Sequence, residues 1–553
     1  MKTTSARIGH TSLKTSHGVA SSLLLRLDSR SPTPLHEQLF EGIRARILAG
    51  ALAPGLRLPS SRQLATELEV ARSTVLQALD ALTAEGYLVA RAGSCTRVAP
   101  ELPILAGDRS REPALPAASR TSLTGERVLG RGPGASRGSR FSTAAQTPGS
   151  VARRQGASRG PRLAASVRTL KFTPVGAPRL GAAPRAFRPG VPALDLFPTA
   201  LWARTVSRVH ARASTGLLDG GDPSGHAPLR EAIATHVSVS RGVRCSPEQV
   251  FITAGTQQAF DEVLRLALNP GDPVWVEDPG YPGVRRAVLS AGGRPVPIPV
   301  DGDGLDVGVG LTRAPRARVA LVAPSHQYPL GVTLSLARRM ALLQWAERTR
   351  SLIIEDDYDS VFRHRGRPLT ALQGLDDAGC VVYVGTFSKS MFPGLRLGFL
   401  VVPPSLVDVF SASRAAAPAP ASTLEQAALA VFLAEGHFAR HLRRMRAAYR
   451  ERGEALLDAL NADCSGLLTP RPCDTGMQVC ASLATPLSDL RVRDEAARRG
   501  VEVAALSDYF LGRRRESGLI FGFGGVRPEG MRAGTRTLAQ ALEAARRGRR
   551  PSR

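Results

Sequence analysis

The sequence predicts a mixed fold class: a small helix-turn-helix domain with a two-stranded wing, then a large α/β domain, separated by a long stretch unable to fold. Three observations predict it. Between residues 31 and 99, apolar residues recur at helical spacing in three short runs. Between 100 and 187 that periodicity vanishes. From 188 to 546, strand-like and helix-like segments alternate, the pattern of an α/β protein.

Length and charge set the frame. At 553 residues the chain is too long for one domain, and its 43% apolar content suffices for a sizeable core. Lys plus Arg (73) exceeds Asp plus Glu (47) by 26. Such an excess suits a polyanionic partner, although a coding bias toward arginine would raise it too. No apolar stretch reaches membrane-spanning length, and Leu23-Leu24-Leu25 is too short for a secretory apolar region. The six cysteines show neither CxxC nor metal-ligand spacing, as reduced thiols in a cytoplasmic protein would. We therefore expect no metal and no membrane, and a cytoplasmic, nucleoid-associated protein.

Residues 1–30 read as a flexible tail ending in a short apolar strand, Leu23 to Leu27. In 31–99, Leu35, Leu39, Ile43 and Ile47 make one apolar face of a first helix. Pro54-Gly55 breaks the chain. Ser60 and Gln63 form a capping-box pattern that opens a second helix carrying Leu64 and Leu68. After a turn at Glu69-Val70, Val75, Leu79 and Leu82 mark a third. Two short helices across a tight turn are the helix-turn-helix geometry. The polar face of the third helix offers Arg72, Ser73, Thr74 and Gln77, side chains able to reach phosphates and base edges in a major groove. Gly86 to Val89 and Thr96 to Val98 would form the wing.

Residues 100–187 are rich in Arg, Gly, Ser, Ala and Pro. Over 101–190 there are 16 Lys/Arg against 4 Asp/Glu, about +12 of the net charge. This composition cannot bury enough surface to fold, so we expect a disordered basic linker, a tether that could also add attraction to DNA phosphate. Residues 547–553 read as a basic tail.

In 188–546, four short segments carry chemistry. A strand, Gln249 to Thr253, leads into Ala254-Gly255-Thr256-Gln257, where free N–H groups at a helix start make an anion site. Val274-Trp275-Val276 precedes Glu277-Asp278-Pro279-Gly280-Tyr281, an aromatic loop able to stack on a flat ring. Leu352-Ile353-Ile354 precedes Glu355-Asp356-Asp357-Tyr358, which sets carboxylates at a strand end. Last comes Thr386-Phe387-Ser388-Lys389 between two apolar runs, with Arg396 following. A lysine on such a turn can form a Schiff base with an aldehyde, and an arginine can hold a phosphate. Taken singly, each segment also has an ordinary explanation as a cap, a turn or a solvated loop.

Two resemblances gather these motifs. Residues 31–99 resemble the winged helix of GntR-family repressors, through Pro34-Leu35, Pro54-Gly55-Leu56-Arg57-Leu58-Pro59-Ser60-Ser61-Arg62-Gln63-Leu64, Arg72-Ser73-Thr74-Val75 and Glu85-Gly86-Tyr87. The resemblance implies DNA contacts at Arg57, Ser60, Arg62, Arg72, Ser73 and Thr74, alongside Gln77. Ala71 departs from the usual capping serine, and Cys95 from a wing glycine. Residues 188–546 resemble fold-type I aminotransferases, which bind pyridoxal 5'-phosphate (PLP); a three-layer αβα major domain and a small C-terminal α/β domain are implied. Lys389 would carry the Schiff base, Asp356 pair with the pyridinium nitrogen, Tyr358 bond the ring hydroxyl and Tyr281 stack on the ring. Gly255, Thr256, Gln257, Thr386, Ser388 and Arg396 would hold the phosphate.

The combination, with Phe187-Arg188-Pro189-Gly190-Val191-Pro192, Asp222-Pro223-Ser224-Gly225 and Pro324-Ser325-His326-Gln327-Tyr328-Pro329, is similar to the MocR-type (PdxR- and GabR-like) regulators. That implies a homodimer on a double-stranded DNA operator, with a domain that binds PLP and senses PLP, an amine or an amino acid. Three positions depart from the enzymes or the family. Tyr328 stands where enzymes have asparagine. Ile520, in Leu519-Ile520-Phe521-Gly522-Phe523, stands where enzymes place the arginine that binds a substrate carboxylate. Gly220 replaces a tyrosine that reaches the partner's PLP phosphate. These departures lower the expectation of turnover. The alternatives are a working aminotransferase with a DNA-binding appendage, and a degenerate domain that binds no PLP and only dimerises.

Overall fold

The computed structural model describes residues 19–20, 25–28, 35–48, 51–53, 55–84, 87–89, 96–99, 186–363, 369–416, 421–484, 487–513 and 516–547. The basic linker expected at 100–187 lies outside the described residues except at its last two positions. These belong to the folded domain: Ala186 bridges Val501, and Phe187 is fully buried in the core. Most of the tail at 1–30 and nearly all of that at 547–553 also lie outside.

In the N-terminal part, helices span Leu35–Leu48, Ser61–Glu67 and Arg72–Ala84. Leu39, Ile43, Ile47, Leu64, Leu68, Val75, Leu79 and Leu82 meet in one core with Tyr87. The turn between the second and third helices places Glu69 at φ +52°, a left-handed conformation that reverses the chain in few residues. Ser60 caps the second helix, its Oγ accepting from the Gln63 N–H at 3.2 Å. The reciprocal half of the expected capping box does not form, and the Gln63 side chain instead lies along the helix, its amide donating to Glu67 one turn on, at 2.9 Å. Within the expected apolar strand, Leu25–Arg26 form β2, antiparallel to β1 (Val19–Ala20), which the sequence did not suggest; Leu23 and Leu24 lie outside the described residues. The wing is β3 (Leu88–Val89) against β4 (Arg97–Val98).

The C-terminal part is built on eight strands: β5 (Val250–Thr253), β6 (Pro273–Asp278), β7 (Arg294–Asp301), β8 (Gly304–Leu305), β9 (Val319–Val322), β10 (Leu352–Asp357), β11 (Val381–Thr386) and β12 (Gly398–Val401). Their order is β5-β12-β11-β10-β9-β6-β7-β8. Neighbours from β11 through β7 run parallel, while β12 is antiparallel to both β11 and β5, so β5 points the same way as β11. The central strands are apolar runs because helices cover both faces of the sheet. A smaller antiparallel sheet follows: β13 (Leu468–Pro470), β14 (Gln478–Leu483), β15 (Ala504–Ala505) and β16 (Gly518–Gly522), ordered β13-β14-β16-β15. Helices Asp489–Arg498 and Pro528–Arg547 pack together beside it.

This layout decides where a site can form. β5, β6, β9, β10 and β11 all end at the same edge of the sheet, and crevices outside the carboxyl ends of such strands are where ligands bind. β5 is anchored by a buried ion pair. The Arg414 Nε donates to Glu262 at 2.6 Å, and its Nη1 donates to the Ile252 carbonyl at 2.8 Å. Replacing Arg414 with Met strands Glu262 in the core, so R414M should cost about 3–5 kcal/mol. Urea denaturation checks this, and a loss below about 1 kcal/mol would contradict the anchoring role.

Candidate cofactor site and nucleic-acid face

The loops after the parallel strands converge on one cavity of about 960 Å³. Gly255, Thr256, Gln257, Tyr281, Asp356, Tyr358, Thr386, Ser388, Lys389 and Arg396, all named from sequence as cofactor residues, line it together. Each arrives by a local rule. The helix Thr256–Ala267 starts where β5 ends, so its N-terminal N–H groups face the cavity beside Arg396. Lys389 follows β11 on a turn in which the Ser388 N–H donates to Thr386 Oγ1 at 3.2 Å. Arg396 sits at φ +53°, an uncommon conformation for a side chain of its size.

Three successive carboxylates end β10, and strand alternation splits them. Glu355 and Asp357 face one side. Glu355 accepts N–H bonds from Leu372 and Gln373 at 2.8 and 2.9 Å. Asp357 accepts from Arg241 Nε at 2.7 Å and from the Tyr383 hydroxyl at 2.6 Å, and the Arg241 charge helps hold its carboxyl below the usual range despite burial. Asp356 faces the cavity, and its Oδ1 is buried with no hydrogen-bond partner. Burial, then the charges of Asp357, Glu277 and Asp359, push its pKa well up. A buried cation at Oδ1 would oppose that rise and favour the carboxylate.

Lys389 is the nearby amine. Burial lowers its pKa, against the pull of Asp359 and Asp356, and its Nζ donates to the Gly190 carbonyl at 2.9 Å. Gly190 has φ +78°, a left-handed conformation that favours glycine, and a Cβ there would lie 2.9 Å from the Lys389 Nζ and force that amine to shift. A buried amine with a depressed pKa is the nucleophile that carbonyl chemistry requires.

Tyr358 is held by side chains to which sequence reasoning gave no role. Its hydroxyl lies 3.0 Å from His326 Nδ1 and accepts from the Gln478 amide at 3.1 Å. His326 Nδ1 lies 2.8 Å from Asp359 Oδ1. His326 stood in a motif quoted above and Asp359 directly follows Tyr358, but their pairing joins separate loops and left no local signal; Gln478 left none. Tyr328 lines the cavity with its hydroxyl 2.9 Å from that of Tyr509. Ile520 is fully buried among Cys480, Leu506, Tyr509 and Phe510. The cavity's arginines lie elsewhere. Arg493 pairs with Asp508 and Asp494, and Arg188 with Glu502. Arg286 makes no ion pair among the described residues. Gly220 is exposed, with nothing near its Cβ position.

In the N-terminal part, Arg57, Ser60, Arg62, Arg72, Ser73 and Gln77 are exposed, and Thr74 is half-buried. Arg72 Nε donates to Ser61 Oγ at 3.3 Å, tying the start of the third helix to the second. Cys95 lies outside the described residues. No group of acidic, histidine or cysteine side chains suited to a metal occurs among the described residues, and no described helix is long and apolar enough to cross a membrane.

Glu277, buried behind this site, makes the fold pH-sensitive. Burial pushes its carboxyl from 4.5 to about 8, only partly offset by N–H donors from Ala323 and Gln327. A carboxyl raised on folding stabilises most fully below its unfolded pKa, and that contribution is lost as pH rises through about 8. From about pH 5 to 8, wild type should therefore lose stability that E277Q retains. Urea midpoints across that range check it, and parallel curves would contradict it.

Comparison with known proteins places both parts. The model for aminotransferase class I and II matches residues 193–504, and that for bacterial regulatory proteins of the gntR family matches 35–98. The chain is 40% identical over 520 residues to the probable rhizopine catabolism regulatory protein MocR of Rhizobium meliloti, covering 94% of this chain and 96% of that protein. It is 31% identical over 507 residues to the pyridoxine biosynthesis transcriptional regulator PdxR of Corynebacterium glutamicum, covering 91% and 94%. Among solved structures, the α-aminoadipate aminotransferase LysN of Thermus thermophilus, complexed with N-(5'-phosphopyridoxyl)-L-leucine, is 30% identical with a TM-score of 0.60, over 66% of this chain and 92% of LysN. A multiple substrate aminotransferase of Thermococcus profundus is 27% identical with a TM-score of 0.63, over 70% and 98%. An exposed basic helix start, an aminotransferase cavity and near-full-length likeness to two regulators agree: the chain belongs to the MocR-type transcriptional regulators, a gntR-family winged helix followed by a class I and II aminotransferase domain.

Proposed function

We propose that this protein binds PLP in the 960 Å³ cavity and couples occupancy of that cavity to operator DNA. The observation that carries this is the unpaired, buried Asp356 Oδ1 in the same cavity as Lys389 and a helix N-terminus. The residues fit the cofactor. Asp356 would hold the pyridinium N–H, Tyr358 would donate to the ring hydroxyl oxygen, and Tyr281 would stack on the ring. The N–H groups of Gly255, Thr256 and Gln257, with Thr386, Ser388 and Arg396, would hold the phosphate. When bound, PLP supplies an aldehyde for the Lys389 amine and a ring that withdraws electrons.

The sensed ligand is PLP itself or an amine entering beside it. An amino acid fits less well, because Ile520 is sealed in an apolar cluster and offers its carboxylate nothing. The dimer follows from the resemblance. A ligand that favours one arrangement of the dimer would re-space the two winged helices and so shift operator affinity.

One observation favours the alternative, a working aminotransferase. Arg286 lines the cavity without an ion-pair partner among the described residues and could meet a carboxylate. Offering amino acids to the PLP-loaded protein separates the two: sustained keto-acid production would overturn the regulator-only reading.

Two further results are expected. Wild type mixed with PLP gains a visible absorption band, and K389A gains none; a band that survives in K389A removes the lysine from its role. Arg72→Ala weakens operator binding by about 1–3 kcal/mol in a mobility-shift titration. Unchanged affinity would take the third helix out of the DNA interface.

A further inference from the structure

We propose that Asp359, His326 and Gln478 are positioning residues that fix Tyr358 as a one-way hydrogen-bond donor into the cavity. The inference rests on the PLP reading and adds to it the group that sets the ring oxygen's charge. The argument is one of counting hydrogens. Asp359 Oδ1, 2.8 Å from His326 Nδ1, is an acceptor, so the imidazole hydrogen belongs on Nδ1. Tyr358, 3.0 Å from that same Nδ1, meets a nitrogen already carrying hydrogen and cannot donate to it. The Gln478 amide donates to the same hydroxyl from another side, at 3.1 Å. Neither protein neighbour can therefore accept from the Tyr358 hydroxyl: the Nδ1 hydrogen is spent on Asp359, and the Gln478 amide is itself a donor. The one phenolic hydrogen is left for the cavity that Tyr358 lines with Lys389 and Asp356. A ligand atom in front of Tyr358 must be an acceptor, as an ionised ring oxygen is.

The surroundings hold this chain rigid. Asp359 is 1% exposed, His326 5% and Gln478 6%. The His326 and Tyr358 rings lie nearly parallel, at 25°, with centroids 5.8 Å apart. Gly476 makes the room: it sits at φ +81°, and a Cβ there would come within 2.4 Å of His326 Cε1 and 2.5 Å of Asp359 Oδ2. Burial and the neighbouring charges of Asp359, Tyr328, Asp356 and Glu277 also push the Tyr358 pKa well up, so the hydroxyl keeps the hydrogen it donates.

The test is the pH titration of the visible band of the PLP-loaded protein, a readout separate from turnover. A donor to the ring oxygen withdraws its negative charge, and the oxygen then holds the proton on the adjacent Lys389 nitrogen less tightly. With the chain broken, that nitrogen keeps its proton to higher pH. We expect H326F and Q478L each to raise the band's midpoint by up to about one pH unit, the size of the whole charge-assisted hydrogen bond that Tyr358 makes. H326N, which returns an N–H close to the position of Nδ1, should restore the midpoint; simple loss of packing would not be rescued this way. Should H326F fail to fold, Q478L carries the test alone. A coloured wild type whose midpoint is unmoved in the folded variants overturns the inference and leaves the PLP reading intact. A wild type that stays colourless with PLP overturns both.

Discussion

Three consecutive carboxylates buried at the end of one strand are the constraint on which the rest of the C-terminal domain depends. Buried carboxylates are costly unless each is paired or protonated. β10 meets that cost in different ways on its two faces. Glu355 is tied to backbone N–H groups, and Asp357 to Arg241 and Tyr383. Asp356, on the opposite face, is left with an unpaired oxygen in the cavity. Asp357 keeps one oxygen without a hydrogen bond but is ion-paired to Arg241, whereas no such ion pair reaches Asp356 among the described residues, as the proposed cofactor role requires. The lysine turn, the helix start and the aromatic loops line the same cavity as Asp356, because the parallel strands end at the same edge.

The same constraint shapes the second layer. Asp359 adds a further carboxylate one turn beyond, and His326 takes it up. That pairing passes a defined hydrogen-bond direction to Tyr358 and so toward the cavity. Glu277, in no ion pair among the described residues, has its carboxyl pushed up by burial to about 8 and so ties the stability of the site to pH.

The sequence made the site readable where function sits in short continuous strings. Lys389, Tyr281 and the Gly255 helix start each follow a strand and Asp356 lies in the last two residues of one, and strand ends are visible as apolar runs that stop. Ser60 was readable as a cap, but the partner of Gln63 was not, since Ser60 and Glu67 both lie within its reach. Pairings across long separations left no trace. Gln478 reaches Tyr358 across 120 residues, and His326 reaches Asp359 across 33. The antiparallel β12 inside an otherwise mostly parallel sheet was equally hidden, because strand direction leaves no mark on composition. Ala186 and Phe187, counted with the linker by composition, pack with the folded domain because their partners, Val501 and the core around Phe521, lie far along the chain.

The central claim is that Asp356 and Lys389 hold opposite ends of one cofactor. A crystal structure of the protein grown with PLP tests it most directly. The account predicts density continuous with the Lys389 Nζ, a ring nitrogen within hydrogen-bond distance of Asp356 Oδ1, and the phosphate at the N-terminus of the helix Thr256–Ala267. PLP bound elsewhere, or an Asp356 that faces only water in the presence of PLP, would contradict it.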